Sequence, residues 1–245
     1  MKTIIDTCIV KGKHKCQNRC FKTAILAMFA GGFIALAGWG SLVASASVMP
    51  AGLSKLVMGL VFPVGLILVV ELQGELFTGN CLLILANWKK EITNFQLYRN
   101  LVIVWFFNLV GALLVAGLLY FAHAYSGVNK EALIALVDYK LHADMIAWLV
   151  KGIGCNILVA GAVMLAYKTK DHLAQVVMMY VTIMLFIVLG FDHCVANMFY
   201  FPAALMAGAD FSLGLIISQL LVVTVGNFIG GAIILCGGAY LVNND

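Results

Sequence analysis

Charge is what this chain lacks. Of its 245 residues only 11% are Asp, Glu, Lys or Arg, and 63% are hydrophobic. Soluble domains carry about 25% charge, so an ordinary soluble domain is excluded. The short apolar–polar alternation of an outer-membrane barrel is also missing; the apolar runs instead reach the roughly 20 residues that let a helix cross a bilayer. Histidine is scarce inside those runs, where His193 stands alone. A membrane redox enzyme needs paired histidines on facing helices or a cysteine motif. Cys81, Cys155, Cys194 and Cys236 show no cofactor spacing. No enzymatic activity, cofactor, metal or nucleic-acid partner is therefore expected. Cys16 and Cys20, with His14 nearby, do not complete a recognised metal spacing. The first 22 residues are polar and basic, without an apolar core or small-residue cleavage site, so no cleavable signal peptide is expected.

What is present is an all-α membrane protein with six expected spans: about 21–46, 56–87, 98–121, 143–167, 174–206 and 212–241. Residues 1–20 are expected to form a cytoplasmic segment at the bilayer interface, and residues 21–245 the six-span domain. Lys2, Lys11, Lys13, Lys15, Arg19 and Lys22 precede span one. Lys89, Lys90 and Arg99 join spans two and three, and Lys168 and Lys170 join spans four and five. Eleven of the fifteen Lys and Arg thus fall on one side, which places both termini in the cytoplasm.

Two spans are interrupted by polar sequence. Glu71-Leu-Gln-Gly74-Glu75-Leu-Phe-Thr78-Gly-Asn80 divides span two, and Gly190-Phe-Asp192-His193-Cys-Val-Ala-Asn197 divides span five. A charge at bilayer depth costs roughly 2.5–3.5 kcal/mol on insertion scales, so such groups face protein or a cavity. Non-helical backbone is tolerated there under the same condition. Asn80 and Asn197 close the two breaks. Asn108-Leu-Val-Gly111 and Asn227-Phe-Ile-Gly230 follow at nearly the same offset. Matching anchors suggest two copies of a three-span unit, and an odd number of spans inverts the second copy. Paired broken helices of this kind mark a midplane site.

Glu75-Leu-Phe-Thr78-Gly, Gly190-Phe-Asp-His193-Cys-Val-Ala-Asn197-Met and Gly226-Asn227-Phe-Ile-Gly230-Gly together resemble the formate/nitrite transporter family. So do Asp138-Tyr-Lys140-Leu-His142 and Lys151-Gly-Ile-Gly-Cys-Asn156. The resemblance implies six helices in an aquaporin-like 3+3 inverted repeat, and homopentamers with one pore per protomer. It implies His193 as the central pore histidine, Thr78 on the facing loop, and Asn156, Asn197 and Asn227 beside them. Phe62, Leu66, Leu76, Phe77 and Phe186 would narrow the pore. Lys22 would stand at the start of span one, and Lys140 with Asn156 in span four. The Glu-Leu-Phe-Thr-Gly form and the Lys-Gly-x-x-Cys-Asn run resemble the nitrite and hydrosulfide branches more than the formate branch.

The expected activity is passage of a small monovalent anion (hydrosulfide, nitrite or formate) across the cytoplasmic membrane. Broken-helix N-termini favour anions, His193 donates a hydrogen bond or a proton, and Lys22 and Lys140 draw anions to the two mouths. A proton-coupled transporter of the same anions would use the same histidine. A water channel of the aquaporin kind would carry Asn-Pro-Ala at both breaks, and neither break holds proline. The topology is checked at Lys130, between spans three and four: a cysteine placed there should react with an impermeant maleimide from outside the cell only.

Overall fold

The computed structural model describes residues 2–243 and is helical throughout; among the described residues no strand is present. The last two residues of the expected six-span domain, and Met1 of the N-terminal segment, lie outside the described residues.

Helix α1 (Lys2–Gln17) buries Ile5, Cys8, Gly12 and Cys16. That spacing is one helical face. It lies on α6 (Leu83–Trp88), where Gly12 meets Leu83 and Ala86. Lys13 reaches across to Glu91 at 2.8 Å, and Arg99, from outside this helix, donates to the Cys16 carbonyl.

Helix α2 (Cys20–Ser45) packs against α7 (Asn94–Phe121), and α9 (Met145–Ala166) against α12 (Leu213–Phe228). Small residues allow the close approach that helices in lipid rely on. A Cβ on Gly31 would lie 2.1 Å from the Asn108 carbonyl oxygen, and one on Gly226 2.5 Å from that of Leu149. The start of α7 is closed by a capping box between Thr93 and Gln96. The α12 path continues through a π-helical turn, Ile229–Leu235, into α13 (Cys236–Asn243).

Between α2 and α7 the chain runs through α3 (Ala51–Val61), α4 (Val64–Glu71), a non-helical stretch, α5 (Phe77–Asn80) and α6. Between α9 and α12 it runs through α10 (His172–Val188), a second non-helical stretch, and α11 (Cys194–Met206). Helices α4 and α10 end alike. The residue after the end turns left-handed, Gln73 at φ 56° and Gly190 at φ 70°. Gly74 N–H then reaches Val69 O, and Phe191 N–H reaches Phe186 O. Together with Gln73 to Val70 and Gly190 to Ile187, these are Schellman ends, which satisfy the last carbonyls of a helix.

Among the described residues, five helical stretches are long and apolar enough to cross a bilayer: 20–45, 51–71, 94–121, 145–166 and 213–243; α10 and α11 are shorter apolar helices. Phe29, Phe106, Leu114, Leu118, Val181, Ile217 and Leu221 are exposed on their outer faces, as lipid contact requires.

One element differs from the sequence expectation. Residues expected to connect spans three and four form a helix, α8 (Gly127–Leu141), which buries Leu133, Val137 and Leu141 at four-residue intervals. Lys140 therefore belongs to α8 and not to span four. The chain turns at His142 and Asp144, whose side chain caps α9 through Ala147 N–H.

The close helix contact has a measurable consequence. Gly31→Ala should lower stability by about 1–3 kcal/mol, the usual cost of overpacking, whereas Gly52→Ala, with nothing within 4 Å of its Cβ position, should leave the melting temperature in detergent unchanged.

Candidate functional site

The two non-helical stretches meet. Thr78, on α5, places Oγ1 2.9 Å from Nε2 of His193, which stands just before α11. Both residues are buried. His193 is also the N-cap of α11: its Nδ1 accepts from Ala196 N–H at 3.2 Å. A ring nitrogen that accepts carries no proton. The neutral ring thus has its proton on Nε2 and donates to Thr78 Oγ1.

Apolar side chains enclose this pair. Phe62 and Phe186 meet edge to face at 5.6 Å, and Phe186 lies 6.2 Å from the His193 ring. Leu66, Leu76 and Phe77 are buried alongside. Leu66 and Leu76 line a cavity of about 360 Å³, together with Lys11, Lys15, Lys22 and Glu75. Phe62, Phe77, Phe186 and His193 are not among its lining residues.

Each loop is held by an asparagine from a neighbouring helix. Asn108 Oδ1 accepts from Phe77 N–H at 3.0 Å, and its Nδ2 donates to the Ala27 and Glu75 carbonyls. Asn227 Oδ1 accepts from Cys194 N–H at 2.9 Å, and its Nδ2 donates to the Gly152 and Asp192 carbonyls. Two residues before each of these N–H groups stands a matching backbone bond, Glu75 N–H to Leu26 O and Asp192 N–H to Lys151 O. Asn227 is fully buried and bonded to backbone only. Asn156 donates to the Thr78 and Asn227 carbonyls, tying one loop to the other's clamp.

Each loop also carries a buried carboxylate with a lysine. Lys15 of α1 lies 3.0 Å from Glu75 Oε2 and 2.7 Å from Asn80 Oδ1. Asn80 Nδ2 in turn donates to Glu75 at 2.6 Å and to Asn100 Oδ1 at 2.8 Å. In the other loop Lys140 of α8 pairs with Asp192, and Asn197 Nδ2 donates to Asp192 at 3.4 Å and to Gln219 Oε1 at 3.2 Å. Lys140 is thus no free cation at an open mouth: its side chain is 12% exposed and its charge is met by Asp192. Lys22 is exposed beside the cavity and does not touch Glu75.

Lys15, Asn100, Asn108 and Gln219 escaped the sequence expectation for the site. Asn108 was visible as a repeat anchor. Asn100 and Gln219 stand at the same offset as Asn108 and Asn227, so the same comparison would have found them. Lys15 had no such signal among six basic residues. The thiols near it are inert: burial pushes Cys8 up to about 12 and, with Glu75 adding, Cys16 up to about 11. Cys20 is exposed, so the two sulfurs flanking the start of α2 face different surroundings.

Comparison with known proteins now has a geometry to meet. The profile of the formate/nitrite transporter family matches residues 2–242. The chain belongs to the formate/nitrite transporter family. It is a multi-pass membrane protein of that family. It is 34% identical to formate channel FocA of Haemophilus influenzae over 93% of this chain and 88% of that protein. It is 35% identical to formate channel BtFdhC of Bacillus thuringiensis, covering 94% and 90%. Among solved structures, one described as an FNT family ion channel superposes with a TM-score of 0.94 at 26% identity, over 99% of this chain and all of that one. A pentameric formate channel with formate bound superposes with 0.82 at 29% identity, covering 92% and 98%.

The asparagine clamps make a prediction within the family fold. Asn227→Ala takes the side-chain partner from Cys194 N–H and the Asp192 carbonyl, at about 1–3 kcal/mol for each buried group. The detergent-solubilised protein should lose most of its thermal stability. Wild-type melting combined with lost flux would instead make Asn227 a group of the permeation path.

Proposed function

We propose that the protein is a channel for small monovalent anions across the cytoplasmic membrane, in which Thr78 and His193 handle the anion between two half-spans related by a pseudo-two-fold axis. The observation that carries this is the 2.9 Å Thr78–His193 contact beside the Phe186 and Phe62 rings. The matched loop bonds of Asn108 and Asn227 support a 3+3 inverted repeat with breaks in spans two and five. The pentameric formate channel that superposes on the chain supports a homopentamer in the lipid bilayer, and the basic bias supports cytoplasmic termini.

The mechanism follows from the bonds. Bare charge in an apolar collar is costly, so the anion must be offered a donor there. Nε2–H of His193 is that donor once the anion replaces Thr78 Oγ1. Thr78 then turns its hydroxyl to the anion. An imidazolium would carry a second N–H at Nδ1, facing Ala196 N–H; it forms only with that cap bond broken. A charged ring therefore needs an anion against Nε2; passing the Nε2 proton to that anion gives a neutral acid and leaves the remaining proton on Nδ1, and the cap to Ala196 returns only when Nδ1 loses that proton and Nε2 takes one from water. Leu66, Leu76, Phe62, Phe77 and Phe186 exclude water around this step. Lys22 gathers anions at the cavity, while Lys15 and Lys140 hold their charges against Glu75 and Asp192.

Formate is the permeant that the relatives' names carry, while Glu75-Leu-Phe-Thr78-Gly points to hydrosulfide or nitrite. Flux of each anion in proteoliposomes, measured from about pH 5 to 8 across the ordinary imidazole range, ranks the three. His193→Asn keeps a donor but does not ionise; it should pass anion and lose the pH dependence of flux. His193→Phe removes the donor and should block the path. An Asn variant with the full wild-type pH profile would remove proton handling from the mechanism. A fixed proton-to-anion ratio at every gradient would favour the proton-coupled transporter over the channel.

A further inference from the structure

Behind each loop stands a second amide with no part in the mechanism so far. Asn100, on α7, accepts from Asn80; Gln219, on α12, accepts from Asn197. Both are buried. An asparagine amide has two donor hydrogens and one acceptor oxygen. Asn80 gives one hydrogen to Glu75 and the other to Asn100, which leaves its oxygen facing Lys15. The second amide thus decides which end of Asn80 meets the lysine. The two clusters exchange lengths. Where the carboxylate is the longer Glu75 its amide partner is the shorter Asn100, and where it is the shorter Asp192 the partner is the longer Gln219. The fit differs as well. Asn197 Oδ1 and Gln219 Nε2 are buried without partners, whereas Asn80 Oδ1 holds Lys15.

We propose that Gln219 and Asn100 are positioning residues for the anion path, each matched in length to the carboxylate of its own loop. Through Asn197, Gln219 sets where the Asp192–Lys140 pair stands, one residue from His193. A lysine charge displaced from Asp192 opposes a charged imidazole; one held against Asp192 does not. The partnerless Asn197 Oδ1 gives Lys140 a second seat, the one Lys15 already uses on Asn80. This assignment rests on the channel proposed above.

The test is a length exchange, read as formate flux and its pH profile in proteoliposomes, with melting temperature beside it. Gln219→Asn and Asp192→Glu alone should each lower flux about tenfold, the scale of one lost bond to a charged group, and move the pH midpoint. Asp192→Glu with Gln219→Asn rebuilds the Glu75–Asn80–Asn100 pattern and should return flux to within about twofold, with the wild-type midpoint. A wild-type pH profile in Gln219→Asn, or a double variant no better than Asp192→Glu, overturns the proposal. If Gln219→Asn does not assemble, Glu75→Asp with and without Asn100→Gln decides in the same way: restored flux supports it and unrestored flux overturns it. Wild-type protein that passes no anion overturns the channel instead, and rescue of melting temperature by the double exchange then still decides the length match.

Discussion

Every backbone N–H and C=O in the apolar slab must find a partner in the protein, because hydrocarbon offers none. A helix meets that demand by itself; a broken helix does not. The chain is non-helical between α4 and α5 and between α10 and α11, and two asparagines meet the demand there. Asn108 and Asn227 each join one N–H and two carbonyls from separate segments. One amide side chain supplies one acceptor and two donors, so each clamp is complete. The position of Thr78 and of His193 depends on these clamps. Gly31 serves the same end, since only a residue without Cβ lets α2 come close enough for Asn108 to reach the Ala27 carbonyl.

The polar interruptions were legible because Glu75, Asp192 and His193 have no place on a lipid-facing helix. The clamp asparagines were legible as repeated anchors, but not as clamps: from sequence, Asn227 was grouped with the permeation path, and its three bonds to backbone appear only in three dimensions. Helix α8 was hidden for a different reason. Leu133, Val137 and Leu141 carry the four-residue period, yet Asn129, Lys130 and Glu131 give its first turn the composition of a connection. Lys15 was hidden by its neighbours. What separates it from Lys11 or Lys13 is the docking of α1 along Ile5, Cys8, Gly12 and Cys16, which aims position 15 at Glu75. No local pattern encodes that aim.

The lysines come from outside the broken spans on both sides, and this has an energetic reason. A buried carboxylate left alone costs several kcal/mol, and removing one partner from a buried pair is strongly destabilising. Glu75 and Asp192 therefore bind the docking of α1 and α8 to the geometry of the two loops. Lys15 is held further by its neighbours: Lys13 pairs with Glu91, and Arg99 grips the Cys16 carbonyl. Any motion that lifts α1 from α6 must open the Glu75 pair as well.

The loops match in backbone and differ in chemistry at the residue that precedes each helix. Leu76 and His193 both stand just before a short helix and are both N-caps in extended conformation. Leu76 has no polar atom and makes no cap bond, whereas His193 caps α11 through Nδ1. A ring tied at one nitrogen cannot turn freely, so its other nitrogen is aimed at Thr78 at no further cost. The same tie makes proton uptake at Nδ1 compete with a helix cap. An imidazole held this way offers one N–H to whatever stands at Thr78, and it takes a second proton only against the fold. The start of α11 and the charge on one ring are thereby coupled, and the proposed anion path would draw on that coupling.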